Sequence, residues 1–262
     1  MTMRALQIAA TGMQAQQTNV EVIANNLANV STNGYKRQLA QFQDLIYQST
    51  AEVGSTSSED GSVLPTGTQV GLGVRAAGIT RMTAQGSLTQ TDNTYDLAIN
   101  GPGYFGVKLP SGDIAYTRDG SFSLSPTGQI VNSQGYPIEP GISIPPNATS
   151  VTINQAGGVN VTNANGKQTV AGTLQLNIFQ NEAGLEAQGG DLFTATAASG
   201  QPVQGLPTSP GYGNIQQGYL ESSNVNVVTE LTDLIQAQRA YEMNSKVIEA
   251  ADQMMQTANQ VK

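Results

Sequence analysis

Leu6, Met13, Val20 and Leu27 recur every seven residues near the start of the chain, and Ala9, Gln16, Ile23 and Val30 follow each by three. On a helix these positions draw one narrow apolar row. Towards the other end Val227, Leu234, Tyr241, Ile248 and Met255 keep the same step, flanked by Leu231, Ala237, Ala251 and Ala258. A row this narrow is a seam for another helix more than a broad face for a globular core. Periodicity alone admits two placements, on the middle of the same chain or on neighbouring chains. Length favours the neighbours, because a continuous helix from Val227 to Lys262 measures roughly 50 Å, more than one small domain covers. Asn226 is the expected N-cap of that helix, with Glu230 and Asp233 near its positive end. The first helix is expected to close near Asn33 and Gly34, residues that tolerate the left-handed conformation.

The middle of the chain reads differently. Short runs at Tyr95 to Ile99, Tyr104 to Leu109, Ile114 to Thr117, Phe122 to Leu124 and Gln129 to Val131 are separated by Gly, Pro, Asp and Ser turns, the pattern of an antiparallel meander. Val151 to Ile153, Val159 to Val161 and Leu174 to Phe179 continue it. Thr50 to Gly73 is rich in Ser, Thr, Glu and Gly and reads as a long irregular connection. The expected fold is α+β. Long N- and C-terminal helices form a coiled-coil-like layer, and the central domain is discontinuous, antiparallel and β-rich. The expected divisions are residues 1–37 and 222–262 as helical segments, 38–73 as an extended connection and 74–221 as the β-rich body.

Composition removes several classes of chemistry. The 262 residues include no His and no Cys, so the usual neutral-pH proton shuttle, the thiolate nucleophile and the commonest zinc ligands are missing. No catalytic residue, cofactor site or metal site is expected. A formal charge of −8 with no basic stripe argues against nucleic acid. No stretch of about 18 apolar residues is present, so direct membrane insertion is not expected. Arg4 ahead of Ala5 to Met13 resembles a short secretory signal, but Gln7 and Thr11 interrupt it and the same residues carry the heptad row, so the segment is read as retained.

The runs Gly12-Met13-Gln14-Ala15-Gln16-Gln17 and Ala24-Asn25-Asn26-Leu27-Ala28-Asn29-Val30-Ser31-Thr32-Asn33-Gly34-Tyr35-Lys36-Arg37 resemble the N-terminal signature of bacterial flagellar basal-body rod and hook proteins. Ser223-Asn224-Val225-Asn226, followed by Leu234 to Lys246 with Arg239 and Tyr241 inside it, is similar to that family's C-terminal motif. Asp96 to Phe105 and Tyr116 to Phe122 resemble the family's first β-domain. The motif residues carried over are therefore Asn25, Asn26, Leu27, Asn29, Ser31, Asn33, Gly34, Asn224, Asn226, Arg239 and Tyr241. Within the family, chain length suits the distal rod. The resemblance implies a non-enzymatic subunit that polymerises with copies of itself into a rigid hollow drive shaft carrying torque to the hook. Its implied partners are neighbouring rod and hook subunits, the surrounding periplasmic and outer-membrane ring proteins and the flagellar export apparatus. The implied location is the basal body, from periplasm to outer membrane, reached without a cleaved signal. The assembly interface would comprise Leu6, Met13, Val20, Ile23, Leu27, Val30, Val227, Leu231, Leu234, Tyr241, Ile248 and Met255. Asp44 to Pro65 would order on a neighbour and stiffen the shaft.

Other motifs carry less. Gly101-Pro102-Gly103-Tyr104-Phe105-Gly106 matches G-x-G-x-x-G, yet Val107-Lys108-Leu109-Pro110 cannot open the helix that holds a pyrophosphate. Asp92 with Asp96, or Glu182 with Glu186, form the carboxylate pairs that a glycosidase uses, but both lie among turn residues. Lys36 and Arg37 have Asp233 of a neighbour as a conceivable acidic mate. Two alternatives stand beside the rod reading: a hook or other rod axial subunit, and, from another class, a periplasmic glycan-binding or glycan-cleaving protein.

Overall fold

A computed structural model describes residues 2–51, 67–164 and 166–260. Most of the stretch expected to stiffen a shaft, residues 52–66, lies outside the described residues. The chain divides into two compact units, each built from segments distant in sequence. The first takes residues 1–27, 38–80 and 227–262.

In this first unit α1 (Thr2–Ala28) and α2 (Val227–Gln260) flank two pairs of strands. β1 (Gln38–Asp44) pairs with β4 (Val74–Arg81), and β2 (Tyr47–Ala51) pairs with β3 (Thr68–Gly71). The Leu45 N–H donates to the Gly73 carbonyl at 2.8 Å, so the two pairs run on as one long hairpin ribbon. Residues 68–71, expected as irregular connection, are therefore a strand. Their sequence Thr-Gln-Val-Gly offers no alternation of buried and exposed side chains, and none is buried, so the usual strand signal is missing.

The ribbon is fastened to α1 at both ends. Near the helix C-terminus the Asn26 amide donates to the Gln38 carbonyl at 2.8 Å and accepts from the Gln38 N–H at 2.8 Å, as a neighbouring strand would. Near its middle the Thr11 hydroxyl accepts from the Val74 N–H at 3.3 Å. Fifteen helical residues rise about 22 Å, and the seven-residue advance from Gln38 to Leu45 covers about 23 Å. The ribbon thus runs back along the helix at matching length. α1 itself stops at Ala28, earlier than the Asn33 expected for its end, and turns carry the chain to Gly34, which takes a left-handed φ of 69°.

The second unit comprises residues 28–37 and 81–226. It contains β5 (Leu88–Gln90), β6 (Leu97–Asn100), β7 (Tyr104–Lys108), β8 (Ile114–Thr117), β9 (Ser123–Leu124) and β10 (Ile130–Val131). β11 (Ala148–Ile153), β12 (Gly158–Asn163), β13 (Gln168–Thr173) and β14 (Leu176–Ile178) follow. β15 (Glu186–Gly189), β16 (Leu192–Thr194), β17 (Val203–Gly205), β18 (Asn214–Gln217) and β19 (Tyr219–Glu221) complete it. The main sheet has the order β15-β16-β8-β7-β14-β17, and β11-β12-β13 form a second. Late strands close early ones: β18 pairs antiparallel with β6, and β19 with β5. Phe105, Val107, Val159, Val161, Leu174, Leu176 and Ile215 fill the core, and Phe105 meets Phe122 edge to face with centroids 5.2 Å apart.

Glycine-rich turns and short strands leave few large side chains to hold this body, so each counts. Phe105→Ala is expected to lower stability by about 3 to 5 kcal/mol. Val170→Ala, on β13 and 69% exposed, is expected to change it by no more than about 0.5 kcal/mol. Urea unfolding of the full chain followed by circular dichroism measures both.

Candidate functional site

Two features of the structure join parts of the chain far apart in sequence, one in each unit. In the first unit, α1 and α2 face each other directly. A Cβ built on Gly12 would lie 2.9 Å from Asn244 Nδ2, and Asn26 Nδ2 donates to Glu230 Oε2 at 3.1 Å. Gly12 to Asn26 and Glu230 to Asn244 are the same interval run in opposite directions, so the helices are antiparallel and stay in register across two heptads. The inward row of α2 is Glu230, Ala237 and Ala251, all buried, with Leu234, Asn244, Ile248 and Met255 half-buried. Small and polar side chains form this contact, and the Asn244 amide fills the space that a side chain on residue 12 would take. Glu230 is fully enclosed, and Asn26 serves both it and the first residue of the ribbon.

The residues expected at an assembly interface separate into three groups. Ile23 is buried within the unit. Leu6, Met13, Val20, Leu27, Val30, Leu234, Ile248 and Met255 are half-buried. Val227, Leu231 and Tyr241 are exposed. Part of the row expected to seek a neighbour is thus occupied by the other helix of the same chain, and the seam includes Glu230, Asn244 and Asn26, which an apolar pattern does not reveal. Other large apolar side chains of α2 lie off this inward row: Leu231, Ile235, Met243, Val247 and Met254 are all exposed, Met243 by 65%, and the first four follow a ridge of four-residue steps that winds around the helix. Arg239 and Lys246, also exposed, lie among them.

The second unit holds a buried ionic clamp. Glu221, the last residue of β19, accepts from Lys36 Nζ at 2.6 Å through Oε1 and from Arg118 Nε at 2.6 Å through Oε2. The Gly86 N–H adds a third donor at 2.9 Å. Arg118 donates from its two terminal nitrogens to the carbonyls of Gly103, Gly101 and Ile99, and Lys36 also reaches the Ala84 carbonyl at 3.1 Å. Lys36, which sequence reading offered to Asp233 of a neighbour, therefore pairs with a carboxylate of its own chain. Burial alone raises the Glu221 carboxyl, but Arg118 and Lys36 together outweigh it and hold it below the ordinary glutamate value. Burial draws the Lys36 ammonium below the ordinary lysine value, with Glu221 opposing.

Two of the family-motif residues, Gly34 and Asn224, line the same junction, while Asn26, Arg239 and Tyr241 belong to the helical unit. Gly34 donates its N–H to the Glu221 carbonyl at 2.7 Å, and a Cβ on it would lie 2.8 Å from the backbone of Arg118 and Asp119. Asn224 accepts from the Arg37 N–H at 2.6 Å and donates to the carbonyls of Met82 and Ala84. Three segments, 34–37, 82–87 and 221–224, are laced together by these bonds.

Three cavities among the described residues bear on the catalytic alternatives. A cavity of about 280 Å³ beside the clamp contains one carboxylate, Glu182, which accepts from the Tyr104 hydroxyl at 3.1 Å. A groove of about 510 Å³ along Leu124 to Gly128 and Ile144 to Pro146 has none, and a hollow of about 630 Å³ at Pro137 to Gly141 has Glu139 alone. Glycosidic hydrolysis uses two. Asp96 is buried and accepts from Thr91 Oγ1 and Asn93 Nδ2, shaping its own turn. The Gly101–Gly103 motif is the turn between β6 and β7, with φ of 113° and 138° at its two ends.

Three family profiles match along the chain. The one described as flagella basal body rod protein matches residues 6–36, the D1 domain of the flagellar hook protein FlgE/F/G residues 98–161, and the C-terminal region of the flagellar basal body rod FlgEFG proteins residues 216–261. Flagellar basal-body rod protein FlgG of Caulobacter vibrioides is 54% identical over 99% of this chain and 100% of its own. The proteins of the same name from Buchnera aphidicola subsp. Schizaphis graminum and Agrobacterium fabrum are 51% and 48% identical, covering 98% and 96% of this chain and 98% and 97% of theirs.

Glu221→Gln leaves two buried cations facing a neutral amide and is expected to cost about 3 to 5 kcal/mol, whereas Lys36→Met leaves a balanced Arg118–Glu221 pair and costs less. Because the folded value of Glu221 lies below its ordinary 4.5, its contribution is complete above that pH and is lost as the pH falls through the folded value. The stability gap between the unaltered chain and Glu221→Gln is expected to narrow only below about pH 4.5, as thermal unfolding across pH 3 to 7 records.

Proposed function

The chain belongs to the flagellar basal-body rod protein family and is a structural subunit of that rod, and from this premise we propose how it builds the shaft. It occupies the distal rod and polymerises with copies of itself into a stiff hollow tube that passes torque to the hook. Residues 1–37 and 222–262 are the assembly segments. The carrying observation is the set of exposed apolar side chains on α2: a helix of 34 residues already paired along one side still presents Leu231, Ile235, Met243, Val247 and Met254 to solvent. Contiguous exposed apolar rows mark interaction surfaces, and a repeated contact whose rotation does not close yields an open helical filament.

Stiffness follows from density of contacts, since each packed layer removes a way for subunits to slide. Residues 44–65, which begin in the chain's own ribbon strands β1 and β2, add such a layer by packing on a neighbour. The subunit works without catalysis, cofactor or metal. It leaves the cell interior uncleaved through the flagellar export apparatus and turns inside the periplasmic and outer-membrane rings, with further rod and hook subunits at its ends.

Negative-stain electron microscopy of the concentrated purified chain tests this reading. Straight tubes are expected, and bendable ones when residues 44–65 are deleted. Curved, compliant tubes from the unaltered chain would assign it to the hook instead. Release of peptidoglycan fragments by a chain that stays monomeric would favour the glycan-active alternative.

A further inference from the structure

Three Asn-Gly pairs occur in the sequence, Asn33-Gly34, Asn100-Gly101 and Asn165-Gly166. Asparagine before glycine is a chemically weak point of a polypeptide, because no side chain on the second residue keeps its main-chain nitrogen away from the neighbouring amide carbon. Residue 165 lies outside the described residues. The other two pairs sit in contrasting surroundings.

At the first pair the glycine is sealed. Gly34 is buried, its N–H is donated to the Glu221 carbonyl at 2.7 Å, and the backbone of Arg118 and Asp119 closes over it. At the second, Asn100 is exposed at the end of β6, and the Gly101 N–H is held by a side chain, Gln85 Oε1 at 2.9 Å. Gln85 is itself exposed. Its amide nitrogen donates to the Ile99 carbonyl at 3.1 Å, so one surface glutamine brackets Asn100 on both sides. The fold also requires the glycine: Gly101 has a φ of 113°, and a Cβ on it would lie 2.8 Å from the Gly213 Cα.

We propose that Asn100 is a site of spontaneous deamidation in the folded chain, restrained by Gln85, while Asn33 stays inert. The Gly101 nitrogen gives its proton to solvent hydroxide and bonds to Asn100 Cγ, and the Cγ–Nδ2 bond breaks, Nδ2 leaving as ammonia with a proton from water. Water then opens the succinimide at either carbonyl, to aspartate or isoaspartate. Nothing is oxidised or reduced. While Gln85 holds the Gly101 N–H, that proton is withheld from base and the nitrogen from Cγ.

The product bears on the ionic clamp. Arg118 Nη2 donates to the Ile99 carbonyl at 3.1 Å and to the Gly101 carbonyl at 2.7 Å, the two carbonyls on either side of Asn100. Isoaspartate adds a methylene to the main chain between them, so they no longer match the one nitrogen that joins them. Ageing at Asn100 thus reaches Arg118.

Trypsin places the three pairs on separate peptides, residues 5–36, 82–108 and 119–167, and mass spectrometry follows each by itself. The full chain and its variants are held folded at mildly alkaline pH, with the urea-unfolded chain as the reference in which both pairs react. Gln85→Ala is expected to deamidate at Asn100 about tenfold faster than the unaltered chain, equivalent to about 1.4 kcal/mol, the scale of one hydrogen bond. Peptide 5–36 is expected to stay intact. Gln85→Glu keeps an acceptor for the Gly101 N–H and is expected to react no faster than the unaltered chain. Equal rates at Asn100 in Gln85→Ala and the unaltered chain overturn the proposal, as does reaction at Asn33 as fast as at Asn100 in the folded unaltered chain. If Gln85→Ala opens the whole body, peptide 5–36 reacts with it, and the test passes to the unaltered chain, in which Asn100 has to outpace Asn33. The deamidated fraction, separated by its added negative charge, is expected to melt at a lower temperature; an unchanged melting temperature overturns the link to Arg118.

Discussion

One carboxylate decides whether the β-rich body exists. Glu221 enters the interior with Lys36 and Arg118, two cations that have no other acid bonded to them there, and it draws three chain segments to one point. Burying charge is expensive unless it is paired and hydrogen-bonded. Here the pairing is thorough: both Glu221 oxygens are occupied, and Arg118 meets three backbone carbonyls besides. Such a site contributes less to net stability than an apolar one of equal size, but it rejects every arrangement in which the segments are misplaced, because a wrong register strands a charge. The motif residues Gly34 and Asn224 follow from the same demand, one by letting the backbone pass close to Arg118 and the other by bridging segments 35–37 and 82–84.

In the helical unit the governing constraint is closeness. At Gly12 the Asn244 amide occupies the space a side chain would take, the seam is made of small and polar side chains, and large apolar ones of α2 stand off it, exposed. That displacement links packing to function. A subunit whose big side chains all met inside itself would have nothing left with which to bind a neighbour.

How much of this was legible in the sequence depends on how far apart the interacting residues lie. Both helices could be read, because heptad rows are local and long, and so could the meander, because its turns carry Gly, Pro and Asp at short intervals. β8 was found at its bounds. The seam was read as apolar at Val227 and Tyr241, which the structure exposes, because periodicity reports which residues are hydrophobic and not which small and polar ones line the seam. Strand β3 stayed hidden in a Ser- and Thr-rich stretch since neither of its faces is buried. The clamp was out of reach: Glu221 lies 185 residues from Lys36 and 103 from Arg118, and no local pattern marks a charge that will be buried. The sole hint was the scarcity of charge, 11% of the chain, which makes each ionised group worth locating.

The order in which the body closes has its own consequence. β5 and β6 lie early in the body and find their partners only in β19 and β18, and the acid that admits Lys36 and Arg118 is the final residue of β19. A chain emerging head first from any narrow passage thus carries two cations and two strands that stay unsatisfied until Glu221 has followed. Closure of the body is thereby set late along the chain: β5, β6, Lys36 and Arg118 wait for β19, β18 and the latch at Glu221.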